Sequence, residues 1–227
     1  MKNIKEKSYW RNFYFLDKIF VSQVKKNRRK FLIIFRKNIF YTKKSTLLDV
    51  GTTPSLDDHE NYLIRRFPFK ENITCLSNFD CKILTTEFSK LQCVIGDGCS
   101  MPFENSSFEI VHSNATIEHV GSYKNQTNFI RECVRVSGKY IYITTPNRFF
   151  PMDFHSKIPL INLLPKNIFR KILKLFGDNF FSKEKNLNLL SKNEIRKILN
   201  DLEIRNFKIY ENKFFGFVSN FIFVISK

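Results

Sequence analysis

Long hydrophobic runs are missing from this 227-residue chain. No stretch reaches the roughly 18 to 20 uninterrupted apolar residues that a bilayer-spanning helix needs. The amino terminus also lacks the charged-then-apolar pattern, ending in small residues, of a secretory signal. A cytoplasmic protein is therefore expected. The five cysteines, Cys75, Cys81, Cys93, Cys99 and Cys133, are odd in number and form no Cys-x-x-Cys pair, which fits neither a zinc site nor a closed disulfide framework. They read as reduced core or near-site residues, so Asn-x-Ser/Thr triplets such as Asn72-Ile73-Thr74 carry no glycan meaning. No internal repeat or low-complexity linker divides the chain. Acidic residues are scarcest at the start: residues 1 to 44 hold 2 Asp/Glu against 14 Lys/Arg, leaving 19 against 24 in the remainder of a chain with net charge +17. Such a segment can meet phosphate on nucleic acid or on anionic lipid headgroups. The plainer reading is a solvated basic face.

What is present suits one domain with a full core, since 43% of residues are hydrophobic. Tyr9, Trp10, Phe13, Phe15, Leu16, Ile19, Phe20 and Val24 recur at loosely helical spacing, and the apolar run Phe31 to Phe35 follows the Lys25 to Lys30 cluster. One or two basic amphipathic helices are expected there. After Lys44 short apolar runs alternate with helical stretches. Strands are predicted at Thr46–Val50, Ile73–Leu76, Cys93–Ile95, Phe108–Val111 and Tyr140–Thr144, with helices at Leu56–Arg66, Cys81–Phe88 and Tyr123–Val136. That alternation argues for a Rossmann-like, doubly wound, mostly parallel sheet with right-handed crossovers. Pro159 to Phe176 is an apolar and basic helical pattern. Ser191 opens another helix, with Glu194 three residues on as a capping box. Glu203 to Lys227 reads as two strands turning near Asn212 to Phe215, so the last strand must run antiparallel.

In open α/β sheets the ligand sits outside the carboxyl ends of the strands, which directs attention to the loops there. Leu47-Leu48-Asp49-Val50-Gly51 ends the first strand with an acid and a glycine. Gly96-Asp97-Gly98-Cys99-Ser100-Met101-Pro102-Phe103 is followed by Ser107-Phe108-Glu109 and by Ile117-Glu118-His119-Val120. This run closely resembles the S-adenosylmethionine-dependent class I methyltransferases of the type 11 kind, whose motifs are written Gly-Asp-Ala, Leu-Pro-Phe, Ser-Phe-Asp and Leu-Glu-His-Val. The resemblance extends over about residues 46 to 148. It implies an S-adenosylmethionine cofactor, with a methyltransferase domain over 45–227 behind a basic amphipathic helical extension over 1–44. It also implies that Asp97 accepts a hydrogen bond from the adenine amine, with Gly98 and Cys99 beside the ring and Met101 and Phe103 as an apolar wall. Asp49, Gly51 and Thr52 would border the methionine portion, and Asn114 would lie near the sulfonium. Read without the resemblance, Asp97 is a turn acid before Gly98.

Two departures stand out. The family's Gly-x-Gly-x-Gly loop is here Gly51-Thr52-Thr53-Pro54-Ser55, with two glycines absent and a rigid proline present. The ribose acid that follows the second strand is replaced by Ser77, leaving Asn78 or Asp80 as candidates. On the acceptor side, His119 and His155 are candidate general bases for a hydroxyl acceptor; their alternatives are a helix-terminal hydrogen bond and loop packing. His112 reads as a strand-end residue and His59 as a surface one. Glu118-His119 is also similar to the metal-assisted O-methyltransferases of quinone biosynthesis, but the acid three residues earlier is Ala115 here, so no metal is expected. The segment from Thr145 to Pro165 looks like a cap over the acceptor. The leading expectation is methylation of oxygen or nitrogen on a small molecule, glycan or lipid-linked precursor, with the basic segment and Pro165–Phe176 able to meet an anionic membrane. The alternatives are an RNA methyltransferase with a basic docking arm, against which no RNA-binding module or Asn-Pro-Pro-Tyr-like motif appears, and a scaffold that has lost the cofactor.

Overall fold

A computed structural model describes residues 14–57, 60–152, 155 and 158–227, with side chains described from residue 22 onward. The expectations resting on Trp10, Phe13, His59 and the side chain of Phe15 lie outside the described residues. The chain runs α1 (Tyr14–Asn38), β1 (Leu47–Val50), α2 (Tyr62–Arg66), β2 (Ile73–Ser77), α3 (Lys82–Glu87), β3 (Gln92–Ile95), β4 (Phe108–Asn114), α4 (Tyr123–Val136), β5 (Ser137–Pro146), α5 (Lys166–Leu175), α6 (Lys192–Asp201), β6 (Phe207–Phe214) and β7 (Phe217–Ser226). One seven-stranded sheet results, in the order β3-β2-β1-β4-β5-β7-β6. β1 to β5 are parallel, while β7 runs antiparallel to both β5 and β6. The sheet thus has the expected mostly parallel form with an antiparallel end.

Both faces of the sheet are covered, as a parallel sheet requires. On one face α4 packs Phe129, Ile130, Cys133 and Val136 at helical spacing, beside Ile195, Ile198 and Leu199 of α6. The side chain of Ser122 caps α4 by accepting from the Asn125 amide, and Ser191 and Glu194 form the expected capping box on α6. On the other face Phe31, Phe35 and Ile39 pack with Tyr62, Leu63, Tyr142 and Ile222. The basic amino-terminal segment therefore shares the core of the sheet. Along α1 the burial alternates with the helical turn: Phe31 and Phe35 point inward, and Lys25, Lys26, Arg29, Lys30, Arg36 and Lys37 face solvent.

Two elements differ from expectation for physical reasons. The helix expected from Leu56 begins only at Tyr62; just before it, the buried Asn61 amide donates to the carbonyls of Thr53 and Ser55 and ties the chain back to the end of β1. β4 continues past Val111 through His112 and Ser113, polar residues whose burial the apolar pattern did not signal. Ile161, Phe169, Leu173, Leu187 and Leu189 form a separate small cluster in the segment after β5.

Candidate cofactor and acceptor site

Strand order reverses between β1 and β4, the switch point at which loops diverge and leave a crevice. A cavity of about 340 Å³ occupies it. Its walls are Gly51 to Pro54 after β1, Ser77 to Phe79 after β2, Gly96 to Gly98 after β3, and Ala115, Thr116, His119 and Val120 after β4, with Phe129 of α4 behind. A second cavity of about 180 Å³, lined by Arg28, Asp49, Asn61, His112 and Asn114 among others, shares Val50, Gly51, Thr53 and Ala115 with the first. The two cavities adjoin at these four residues, a crevice whose combined volume is of the order that small cofactors occupy.

The loop after β1 keeps its close approach despite the missing glycines. Gly51 has φ +82°, and a Cβ there would stand 2.1 Å from Thr116 Oγ1. The amides of Gly51 and Thr52 both donate to the Leu76 carbonyl, at 2.8 and 3.1 Å. Thr52 turns its hydroxyl back to donate to Asp49 Oδ2 at 2.7 Å. A threonine therefore serves here as a local tie on the strand end. Asn61 pins the same loop from α2, accepting from the Thr53 amide at 3.3 Å and donating to the Thr53 carbonyl at 2.8 Å.

At the other end Asp97 lines the cavity, and its Oδ1 accepts from the Cys99 amide at 2.8 Å. It is a turn acid and a cavity acid at once. A carboxylate has about four acceptor positions, so one backbone contact leaves capacity for an exocyclic amine. Gly98 is required for packing, because a Cβ would lie 2.8 Å from the Phe129 ring and 3.1 Å from Val50 Cγ1. The wall expected from Met101 and Phe103 is built instead by Phe129 and Val120. Glu132 accepts from the Met101 amide, Arg135 donates to the carbonyls of Met101 and Phe103, and Met101 is buried in the core. Cys99 also turns away, its Sγ against the Asn125 carbonyl, and burial pushes its thiol up to about 11. After β2, Asn78 borders the cavity, whereas Asp80 is exposed, contributes no lining and pairs with Lys82 at 3.4 Å. Of the two ribose candidates the geometry favours Asn78.

Beneath the crevice lies a buried polar chain that sequence reasoning missed. Parallel pairing sets Asp49 beside His112, and His112 Nδ1 bonds Asp49 Oδ1 while its Nε2 meets the Tyr62 hydroxyl at 3.1 Å. Burial raises the Tyr62 hydroxyl above its ordinary value, with Arg28 opposing. Arg28, from α1, donates to Asn114 Oδ1 at 2.5 Å and lies 5.3 Å from the Tyr62 ring centroid. Burial lowers its pKa from the usual arginine range. Asn114 also accepts from Thr144 at 2.8 Å, which makes it the joint between α1, β4 and β5. Helical phase could have singled out Arg28, which stands three and seven residues before Phe31 and Phe35.

His119 lines the main cavity, and His155, in the segment after β5, packs behind it with their ring centroids 5.0 Å apart. His119 Nδ1 bonds the Asn186 carbonyl at 2.7 Å, and His155 packs on Phe181 at 5.2 Å, contacts of the kind that the alternatives to a general-base role describe.

Residues 74–141 match the family described as methyltransferase domain. No curated protein matches the chain in sequence. Among solved structures, an S-adenosylmethionine-dependent methyltransferase from Thermotoga maritima superimposes with a TM-score of 0.59 at 11% identity, covering 94% of this chain and 95% of that one. One from Aquifex aeolicus gives 0.57 at 15% identity over 90% and 97%, and one from Methanosarcina mazei gives 0.53 at 15% over 86% and 96%.

Proposed function

We propose that this chain, which carries a methyltransferase domain on the class I fold, binds S-adenosylmethionine along the crevice and methylates an oxygen or nitrogen of a small-molecule, glycan or lipid-linked acceptor. The observation that carries this reading is the crevice itself, with an acceptor acid at one end, Asp97, and a desolvated cation at the other, Arg28. The cofactor is an adenosine with an amine donor at one end and a carboxylate at the other, and bound here it supplies an electrophilic methyl on sulfonium. Asp97 would take the adenine amine, Phe129 the ring, Asn78 the ribose, and Arg28 the methionine carboxylate. Asp49 would act through His112 and Thr52 to hold the loop that passes the sulfonium. His119 stands on the acceptor side, where its Nε2 carries the lone pair because Nδ1 must donate to a carbonyl.

Calorimetric titration of S-adenosylhomocysteine tests this. Asp97→Ala should weaken binding by about 1.5–3 kcal/mol, roughly 10- to 150-fold, through loss of a charge-assisted hydrogen bond. Unchanged affinity would remove Asp97 from the site, and no binding to the native protein at millimolar ligand would leave the scaffold reading.

A membrane-presented acceptor is the second reading, favoured by the segment after β5. Leu163, Leu164, Ile168, Leu175 and Phe176 are exposed there beside Lys171 and Lys174. Apolar groups at the headgroup boundary with flanking cations would give reversible, salt-sensitive binding. Sedimentation with anionic but not neutral vesicles is expected; equal recovery with both would refute it, and preference for RNA would favour the docking-arm alternative. Among the described residues no helix is long and apolar enough to cross a membrane.

A further inference from the structure

We infer that Glu118, His119 and His155 form a divalent metal site of the His₂-carboxylate type at the acceptor end of the crevice. One ligand atom from each lies within 4.8 Å of the other two. Three atoms at that limiting separation place their common centre about 2.8 Å away, so inward movements of roughly 0.6–0.8 Å reach the 2.0–2.2 Å typical of Zn–N and Zn–O bonds. His155 lies in a turn of the segment after β5, its ring against His119 and Phe181.

Two further observations point to a ligand. Glu118 is fully buried, yet its Oε1 has no hydrogen-bond partner, and an orphaned carboxylate oxygen is costly unless something fills the position. Its other oxygen, Oε2, accepts from the Thr145 hydroxyl at 3.0 Å, which fixes the carboxylate plane. The Nδ1–H of His119 is committed to the Asn186 carbonyl, leaving Nε2 as the coordinating atom in a set tautomer. Outer hydrogen bonds of this kind orient metal-ligating carboxylates and histidines. The sequence set a metal aside because position 115 is alanine; the third ligand instead comes from His155, 36 residues beyond His119.

Three protein ligands leave positions for water or substrate, and two histidines with one carboxylate suit a first-row divalent ion. The inference rests on the methyltransferase reading for its consequence, which is a hydroxyl-bearing acceptor. Coordination eases loss of the acceptor proton to solvent. The oxygen lone pair then forms the O–CH₃ bond as the S–CH₃ bond breaks, sulfur retains that electron pair, and the products are a methyl ether, neutral S-adenosylhomocysteine and one released proton.

Equilibrium dialysis of the full chain against ZnCl₂ after chelator treatment tests the site, with bound zinc measured by mass spectrometry. One ion per chain is expected, with binding weakened at least tenfold in both Glu118→Gln and His155→Ala. Glu118→Gln preserves shape, and circular dichroism of each variant confirms folding. Zinc retained by both folded variants, for instance on the thiols of Cys81 and Cys93, would overturn the assignment, as would absence of binding to the native chain. S-adenosylhomocysteine titration in chelator runs in parallel. Cofactor binding without zinc binding refutes the metal site alone, and zinc without cofactor refutes the methyltransferase reading while the site stands.

Discussion

Arg28→Met separates a cofactor-binding arginine from one that only packs α1 against the sheet. Methionine keeps the apolar stem over Phe31 and Tyr62, whose ring centroids lie 5.5 and 5.3 Å from the guanidinium carbon. It removes the charge that would face the methionine carboxylate. Asn114 Oδ1 still accepts from Thr144 at 2.8 Å. Circular dichroism of the variant separates a loss of fold from a loss of binding. A charge-assisted hydrogen bond contributes about 1.5–3 kcal/mol, so affinity for S-adenosylhomocysteine should drop by roughly 10- to 150-fold. Arg28→Lys retains charge without the planar fork and should fall between the two. Methylthioadenosine, which lacks the amino acid tail, provides the internal control: its affinity should change by about twofold or less in Arg28→Met. Calorimetry with both ligands reads the difference directly. An equal loss for both would show that Arg28 shapes the crevice as a whole, and no loss for either would refute the assigned contact.

Gly51→Ala should destabilise the protein by about 1–3 kcal/mol, because it forces a side chain onto a positive φ and into Thr116; a thermal scan showing an unchanged midpoint would contradict this. For Glu194, burial opposes ionisation, but hydrogen bonds from Lys166 and Ser191 outweigh it and hold the carboxyl below its usual range. A depressed folded pKa adds stability that is full above the unfolded value and is lost as pH falls through the folded one. Urea unfolding should therefore show Glu194→Gln less stable than native at pH 7 and nearly equal to it near pH 3; a constant gap would refute the linkage. The Cys93 thiol sits below its ordinary value because hydrogen bonding with Cys75 outweighs burial, whereas burial among apolar groups raises Cys133. Brief iodoacetamide treatment followed by peptide mapping should find Cys93 alkylated well before Cys133, and the reverse order would sink the argument.

The sheet was legible because its strands are apolar runs between polar turns, and the run from Gly96 to Val120 marks the loops after β3 and β4. A local signal also gave the start of α6, where the capping box is written in Ser191 and Glu194. What could not be read depends on pairing across the fold. Asp49 and His112 meet only through the register of two parallel strands. His119 and His155 meet only once the segment after β5 folds back. Met101 and Phe103 line no part of the cavity because Glu132 and Arg135, on the helix that follows the next strand, hold their backbone by hydrogen bonds. Arg28 was hidden in a basic cluster whose other members face solvent.

α1 is latched to the final hairpin. The Asn212 side chain donates to Asn27 Oδ1 at 2.9 Å, and Tyr210 donates to Asn38 Oδ1 at 2.6 Å. Asn27 also donates to Asn220 at 3.4 Å, across a separation of 193 residues. A ribosome adding about 5–20 residues per second needs roughly 10–40 s to make that intervening chain. Until that hairpin is made, α1 lacks its ties to Tyr210, Asn212 and Asn220 and the Ile222 part of the core that Phe31, Phe35 and Ile39 share. The loops that form the crevice are thus complete in the chain well before the hairpin that finishes docking α1.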